Sequence, residues 1–160
     1  MPTLVLVRHA QAAYSYPDHT RPLTHAGVDQ AVRLGGVLSR EIGSFDVAVC
    51  SDATRAQQTF AQISQRIQVG ESWFDRGVYN AAEEDILTLA RTFEGERALV
   101  VGHEPTISGA AYVLAREDDR GEVARGVPTA TALILTFDGT WEHLAPSSCA
   151  LRVVLTPPTR

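Results

Sequence analysis

The sequence predicts an α/β fold, a largely parallel sheet finished by antiparallel strands, and two observations carry that expectation. Short β-rich runs alternate with longer helical stretches from residue 3 to residue 115. Beyond residue 128 the helical pattern stops and strand-like runs take over. Alternation of this kind argues for strands joined by helical crossovers, and therefore for parallel pairing. The chain has 160 residues, enough for one hydrophobic core and too few for two comfortable ones. No repeat, linker or compositional break marks a boundary, so a single domain over 1–160 is expected.

Each element has its own signal. "TLVLV" (3–7) reads as a strand buried on both faces. Residues 23–43 place Ala26, Ala31, Leu34 and Leu38 at helical spacing, with Thr24 as cap and Gly43 as stop. "FDVAVC" (45–50) is a second strand. A helix over 51–67 follows, with Ser51 as cap and Ala56, Phe60 and Ile63 facing inward. "QVGESWF" (68–74) is a weaker strand. "EEDILTLARTF" (83–93) opens on acids and closes near Arg91, the polarity that a helix dipole favours. "RALVVG" (97–102) is the third clear strand, and it leads into a helix over 103–115 with Pro105 in its first turn. Residues 129–137, 140–145 and 150–156 read as strands, the first two joined through Asp138-Gly139 as a hairpin.

Composition narrows the function classes. A net charge of −5 argues against a nucleic-acid partner, which normally calls for a basic stripe, but leaves room for a small cationic pocket. Cys50 and Cys149 lack any metal-ligand spacing and read as two reduced core thiols. "MPTLVLVRH" reaches Arg8 before a signal-peptide core can form, and no apolar run approaches membrane-spanning length. A soluble, cytoplasmic protein without a membrane partner is expected.

The unusual residues share an address. The first strand ends in Arg8-His9, the second in Cys50-Ser51 with Arg55 one helical turn later, and the third in Gly102-His103. Ligands of open α/β sheets bind outside the carboxyl ends of the strands, where helix N-termini also converge. Taken singly, Arg8 is an ordinary strand-end charge, Arg55 a solvent-facing helix residue, and His9 and His103 satisfied structural histidines. Their joint placement at three strand ends points instead to a site for an anion with many oxygens. Phosphate fits best, because arginine forks match its geometry and helix N-termini add N–H donors.

"LVRHA" (6–10), "CSDATRAQQT" (50–59) and "VVGHEP" (100–105) resemble, in order, the three signatures of the histidine phosphatase superfamily. With "DHTRPLTHAG" (18–27), the chain is most similar to its short, SixA-like phosphohistidine phosphatase branch. The resemblance spans essentially the whole chain. It implies a phosphoglycerate mutase-like three-layer sandwich, a mostly parallel sheet flanked by helices, without large lid insertions. It also implies His9 as the phosphoryl-accepting nucleophile, with Arg8, Arg55 and His103 holding the phosphoryl oxygens and Arg21 near the pocket mouth. Ala10 stands where the first signature normally has Gly, and its small side chain still lets the backbone approach a phosphate.

The chemistry is consistent with that carry-over. A neutral imidazole is a good nucleophile near pH 7, and attack at phosphorus gives a phosphohistidine that water then cleaves. Arg8, Arg55 and a protonated His103 would neutralise charge on the transferring group, so no metal or other cofactor is called for. A proton donor to the leaving oxygen would come from Asp18, Glu83, Glu84 or Glu104, or be absent. The implied partners are a phosphohistidine-bearing protein or a small phosphorylated molecule, with inorganic phosphate as product.

Rival readings are a small-molecule phosphomonoesterase and a non-catalytic phosphate or phosphoprotein binder. Retention of His9 weighs against the binder, and the missing lid segments weigh against a mutase. A thiolate phosphatase is rejected: it needs Cys-x5-Arg, whereas Cys50 to Arg55 is one residue short and the intervening residues lack glycine.

Overall fold

In chain order the elements are β1 (Thr3–Arg8), α1 (His25–Glu41), β2 (Ser44–Ser51), α2 (Thr54–Ser64), β3 (Gln68–Asp75), α3 (Arg76–Tyr79), α4 (Glu83–Ala90), β4 (Arg97–Gly102), α5 (Thr106–Leu114), β5 (Ala132–Thr136) and β6 (Ala150–Val154). The computed structural model describes residues 1–157. Short 3-10 turns lie at Asp18–Thr20, Arg120–Val123 and Trp141–His143.

The strands form one six-stranded sheet in the order β3-β2-β4-β1-β5-β6. The pairs β1–β4, β2–β4 and β2–β3 are parallel, whereas β5 runs antiparallel to both β1 and β6. Side chains alternate across a strand, so β1 sends Leu4 and Leu6 to one face and Val5 and Val7 to the other. The Leu4 face packs Ile86, Leu87 and Ala90 of α4 and Ile107, Ala111 and Leu114 of α5. The Val5 face packs Ala31, Leu34 and Leu38 of α1 and Ala56, Phe60 and Ile63 of α2. The result is the expected three-layer α/β sandwich. Among the described residues no helix is long and apolar enough to cross a membrane.

Helix α1 starts and stops where its sequence signals it. The Thr24 hydroxyl accepts a hydrogen bond from Gly27 N–H, and Gly43 adopts a φ of +90° just past the end. Elsewhere the local signals mislead. Ser51 does not cap α2; it ends β2, and α2 starts three residues later behind Ala53. Pro105 precedes α5 instead of lying in its first turn.

The expected strand over 140–145 and its Asp138-Gly139 hairpin are not formed. Trp141 lies in a 3-10 turn, where its indole packs against Phe93 and Phe137 and donates to the Gly95 carbonyl at 2.7 Å. Burying that ring outweighs the local strand preference, and β5 takes β6 as its partner. β3 is exposed along most of its length, as befits an edge strand.

Two glycines of α1 separate helix propensity from packing. A Cβ at Gly27 would stand 2.0 Å from the Gln11 carbonyl oxygen, whereas one at Gly36 meets only the flexible end of Arg40 at 3.7 Å. Alanine is preferred over glycine in a helix interior by about 1 kcal/mol. Gly36→Ala should therefore raise stability by up to that amount, and Gly27→Ala should lower it. Urea unfolding of the two variants checks both signs, and equal shifts would refute the close approach at Gly27.

Candidate active site

Parallel pairing sets the strand ends level. Arg8 lies opposite Gly102 across β1–β4, and Cys50 lies opposite Val101 across β2–β4. His9, Ser51 and His103 therefore emerge side by side, and Arg55 reaches them from the first turn of α2. The His9 and His103 rings are 5.1 Å apart, centroid to centroid. Arg55 Nε lies 3.3 Å from His9 Nε2. Arg8 is close enough to disfavour protonation of both imidazoles. The structure thus brings together the four residues singled out at the strand ends.

His9 is buried, and its ring is orientated by the backbone. Nδ1 stands 2.7 Å from the Ala10 carbonyl oxygen. A carbonyl can only accept, so Nδ1 carries the proton and the Nε2 lone pair faces Arg55 in the site. The Arg55 Nε–H that points at Nε2 fits that tautomer. Burial is the main force pushing the His9 pKa down to about 3, with His103, Arg55 and Arg8 adding to it against the Ala10 hydrogen bond. At pH 7 the imidazole is neutral.

Arg55 is buried and held by Asp18 from two sides. Nη1 donates to the Asp18 carbonyl at 2.8 Å and Nη2 to its carboxylate at 3.1 Å. The same carboxylate accepts from Tyr79 Oη at 2.6 Å and from Arg21 Nη1 at 3.1 Å. The Tyr79 hydrogen bond is the largest influence on Asp18. With Arg21 and Arg55 it overcomes the opposing effect of burial and holds the carboxyl well below the usual carboxylate range. Asp18 is therefore a fixed anion. It has no proton to give at neutral pH.

His103 Nε2 lies 2.7 Å from Ser51 Oγ, and the Tyr79 ring meets the imidazole edge-on. Burial, followed by the Arg55 charge, pushes the His103 pKa down to about 4. The protein's own groups therefore favour the neutral ring, whereas the protonated His103 expected from sequence is one facing a phosphoryl group. Among the described residues, His103 Nδ1 and Arg8 Nε are buried without a hydrogen-bond partner. Two buried nitrogens without partners are what an oxyanion would satisfy.

Arg21 sits at the rim, with Nε on the Ala13 carbonyl and the guanidinium over the Tyr14 ring. A cleft of about 460 Å³ opens there, lined by Arg8, His9, Tyr14, Arg21 and Thr129. A larger groove of about 660 Å³, lined by Glu83, Glu84, Tyr112 and Arg125, contains neither histidine. The smaller cleft reaches Arg8 and His9, whereas Arg55 and His103 are not part of its lining.

Of the proton-donor candidates, Glu83 and Glu84 line that separate groove. Both Glu104 oxygens are taken by donors, Oε1 by Ser108 N–H and Oε2 by Ser108 Oγ and Val127 N–H. None of the three faces His9. Burial pushes the Cys50 thiol up, so it stays protonated and inert.

Sequence reasoning missed Tyr79 and misread Ser51. Tyr79 lies in the four-residue helix α3, too short for any periodicity to reveal. Ser51 precedes a helix and so suggests a cap, whereas its hydroxyl lies 2.7 Å from His103 Nε2.

The chain is similar to known proteins along most of its length. Residues 4–76 match the family model of the histidine phosphatase superfamily (branch 1). An uncharacterized protein of Mycobacterium tuberculosis (strain H37Rv) is 34% identical over 154 residues, covering 91% of this chain and 96% of that protein. A candidate phosphohistidine phosphatase SixA from Nakamurella multipartitia superposes with a TM-score of 0.87 at 32% identity, covering 97% of this chain and 96% of that one. Its counterpart from Agrobacterium tumefaciens gives 0.76 at 27%, covering 86% and 93%. The chain therefore belongs to the histidine phosphatase superfamily, whose members are phosphatases and mutases acting on phosphorylated substrates.

Proposed function

We propose that the protein is a phosphatase working through a phosphohistidine on His9, that it needs no metal, and that its substrate is protein phosphohistidine. The observation that carries this reading is the Nδ1–H bond to Ala10 O, which leaves Nε2 a permanent, in-facing lone pair. In the first step Nε2 attacks phosphorus and the leaving group departs with the bonding pair. His9, still carrying its Nδ1 proton, becomes a phosphoimidazolium whose charge faces the Ala10 carbonyl. In the second step water attacks phosphorus, the P–N pair returns to Nε2, and inorganic phosphate leaves.

Arg8 Nε and His103 Nδ1–H are suited to donate to the equatorial oxygens, with the Ser51 hydroxyl donating to His103 Nε2 in that tautomer. The Arg55 guanidinium adds a second fixed positive charge. The histidine phosphatase domain is read as occupying 1–160, in the cytoplasm.

The substrate class follows from the proton inventory. An alkoxide leaves poorly unless it is protonated, and Asp18 is held ionised by three donors. The imidazole of a phosphohistidine can carry a proton on its other nitrogen and leave neutral without outside help. Similarity to the Nakamurella protein supports the same choice.

Four outcomes are expected. Phosphohistidine peptide should exceed sugar phosphates in kcat/KM, with aryl phosphates between; a sugar phosphate ahead by tenfold would favour a small-molecule phosphomonoesterase. Arg8→Ala, Arg55→Ala and His103→Ala should each lower kcat/KM by at least about a hundredfold, the scale of a lost oxyanion donor, in protein whose melting curve is intact. EDTA should leave the rate unchanged.

The fourth outcome concerns pH. NMR of the protein in phosphate-free buffer should show His9 and His103 neutral from pH 8 down to 5.5, and inorganic phosphate should raise the His103 midpoint. The unfolded chain takes up protons on these residues near pH 6.5, and the folded protein does so only near 3 to 4. Their contribution to stability is therefore complete above pH 6.5 and is lost as the pH falls toward 4. A titration of either ring near pH 6.5 in the folded protein would contradict the burial argument.

A further inference from the structure

We infer that Glu104 is the positioning residue for Arg8 and acts on it through Val127. The inference rests on the reading of Arg8 as a phosphoryl-oxygen ligand and adds a residue that reading does not use. Arg8 ends β1 and needs a defined direction, because a guanidinium on a three-carbon stem has many rotamers. Among the described residues its one hydrogen-bond acceptor is the Val127 carbonyl, 2.8 Å from Nη1. The direction of Arg8 is therefore only as well defined as the position of Val127.

Val127 lies in the connection between the 3-10 turn Arg120–Val123 and β5. Its N–H is bound by Glu104 Oε2 at 3.0 Å, on the other side of the same residue from the carbonyl that holds Arg8. Glu104 is itself anchored to the start of α5, Oε1 taking Ser108 N–H and Oε2 taking Ser108 Oγ, both at 2.7 Å. The preceding Gly126 has a φ of +86°, and a Cβ on it would stand 2.9 Å from Glu104 Oε2. The loop is thus shaped to bring one N–H to one carboxylate. Arg8 hangs from the far end of that arrangement.

Arg55 is positioned independently, through the backbone and carboxylate of Asp18. Each arginine therefore has its own carboxylate, Asp18 directly and Glu104 at one residue's remove. This separation makes the inference testable, because coupling appears as non-additivity between residues that act through one another.

The experiment is a pair of double-mutant cycles read in kcat/KM for an aryl phosphate. Glu104→Gln keeps the shape, but in either orientation of the amide an N–H faces a backbone N–H, that of Val127 or that of Ser108. It should cost about tenfold in the otherwise native protein and in the Arg55→Ala background, and less than twofold in the Arg8→Ala background. Equal losses in both arginine backgrounds, or no loss in the native one, would overturn the inference. If Arg8→Ala itself costs nothing, the failure lies with the phosphoryl-ligand role of Arg8 and not with Glu104. Should Glu104→Gln not fold, Glu104→Asp, which keeps the charge but withdraws it by one methylene, goes through the same cycles with the same expected pattern.

Discussion

The hydrogen bond from His9 Nδ1–H to the Ala10 carbonyl is the constraint on which the site depends. It decides which nitrogen is free, and it can do so only because the backbone supplying it is fixed. His9 N–H donates to Gly102 O and ties the end of β1 to the end of β4. Ala10 N–H donates to Thr59 Oγ1, whose hydroxyl donates in turn to the Arg55 carbonyl. Ala130, at a φ of +52°, donates to the Arg8 and His9 carbonyls from the opposite edge. The imidazole is therefore aimed by sheet and helix together, and the small Ala10 side chain is buried without disturbing either.

Burial then determines the electrostatics. Both imidazoles lose water and become neutral, whereas the arginines keep their charge because guanidinium does not deprotonate in proteins. The outcome is a neutral imidazole nitrogen set beside permanent guanidinium cations, and the proposed chemistry uses the first for bond formation and the second for the phosphoryl oxygens. The carboxylates nearby are already engaged by the protein. Asp18 and Glu104 spend their oxygens on donors of the protein, which is how a site rich in cations keeps its geometry without offering an acid.

Much of this was legible in the sequence because strand ends and helix starts are local features. "TLVLV" and "RALVVG" read as buried strands, the Thr24 cap and Gly43 stop bounded α1, and Arg8, His9, Arg55 and His103 could be assigned to strand ends before their distances were known. What escaped depends on contacts between distant segments. Tyr79 reaches Asp18 across sixty-one positions of sequence, and no local pattern announces that bond. Trp141 sits in a run that reads as a strand, and its packing against Phe137 and against Phe93, distant in sequence, explains its turn. Glu104 beside His103 suggested an acid by adjacency; its true neighbours are Ser108 and Val127.

The central claim is that the Ala10 carbonyl dictates the reacting nitrogen, and the position of the trapped phosphoryl group tests it most directly. Protein quenched during turnover and kept at alkaline pH should carry an acid-labile phosphoryl group on His9, and NMR correlation of phosphorus with the ring should place it on Nε2. Phosphorus on Nδ1, or on any residue other than His9, would contradict the account.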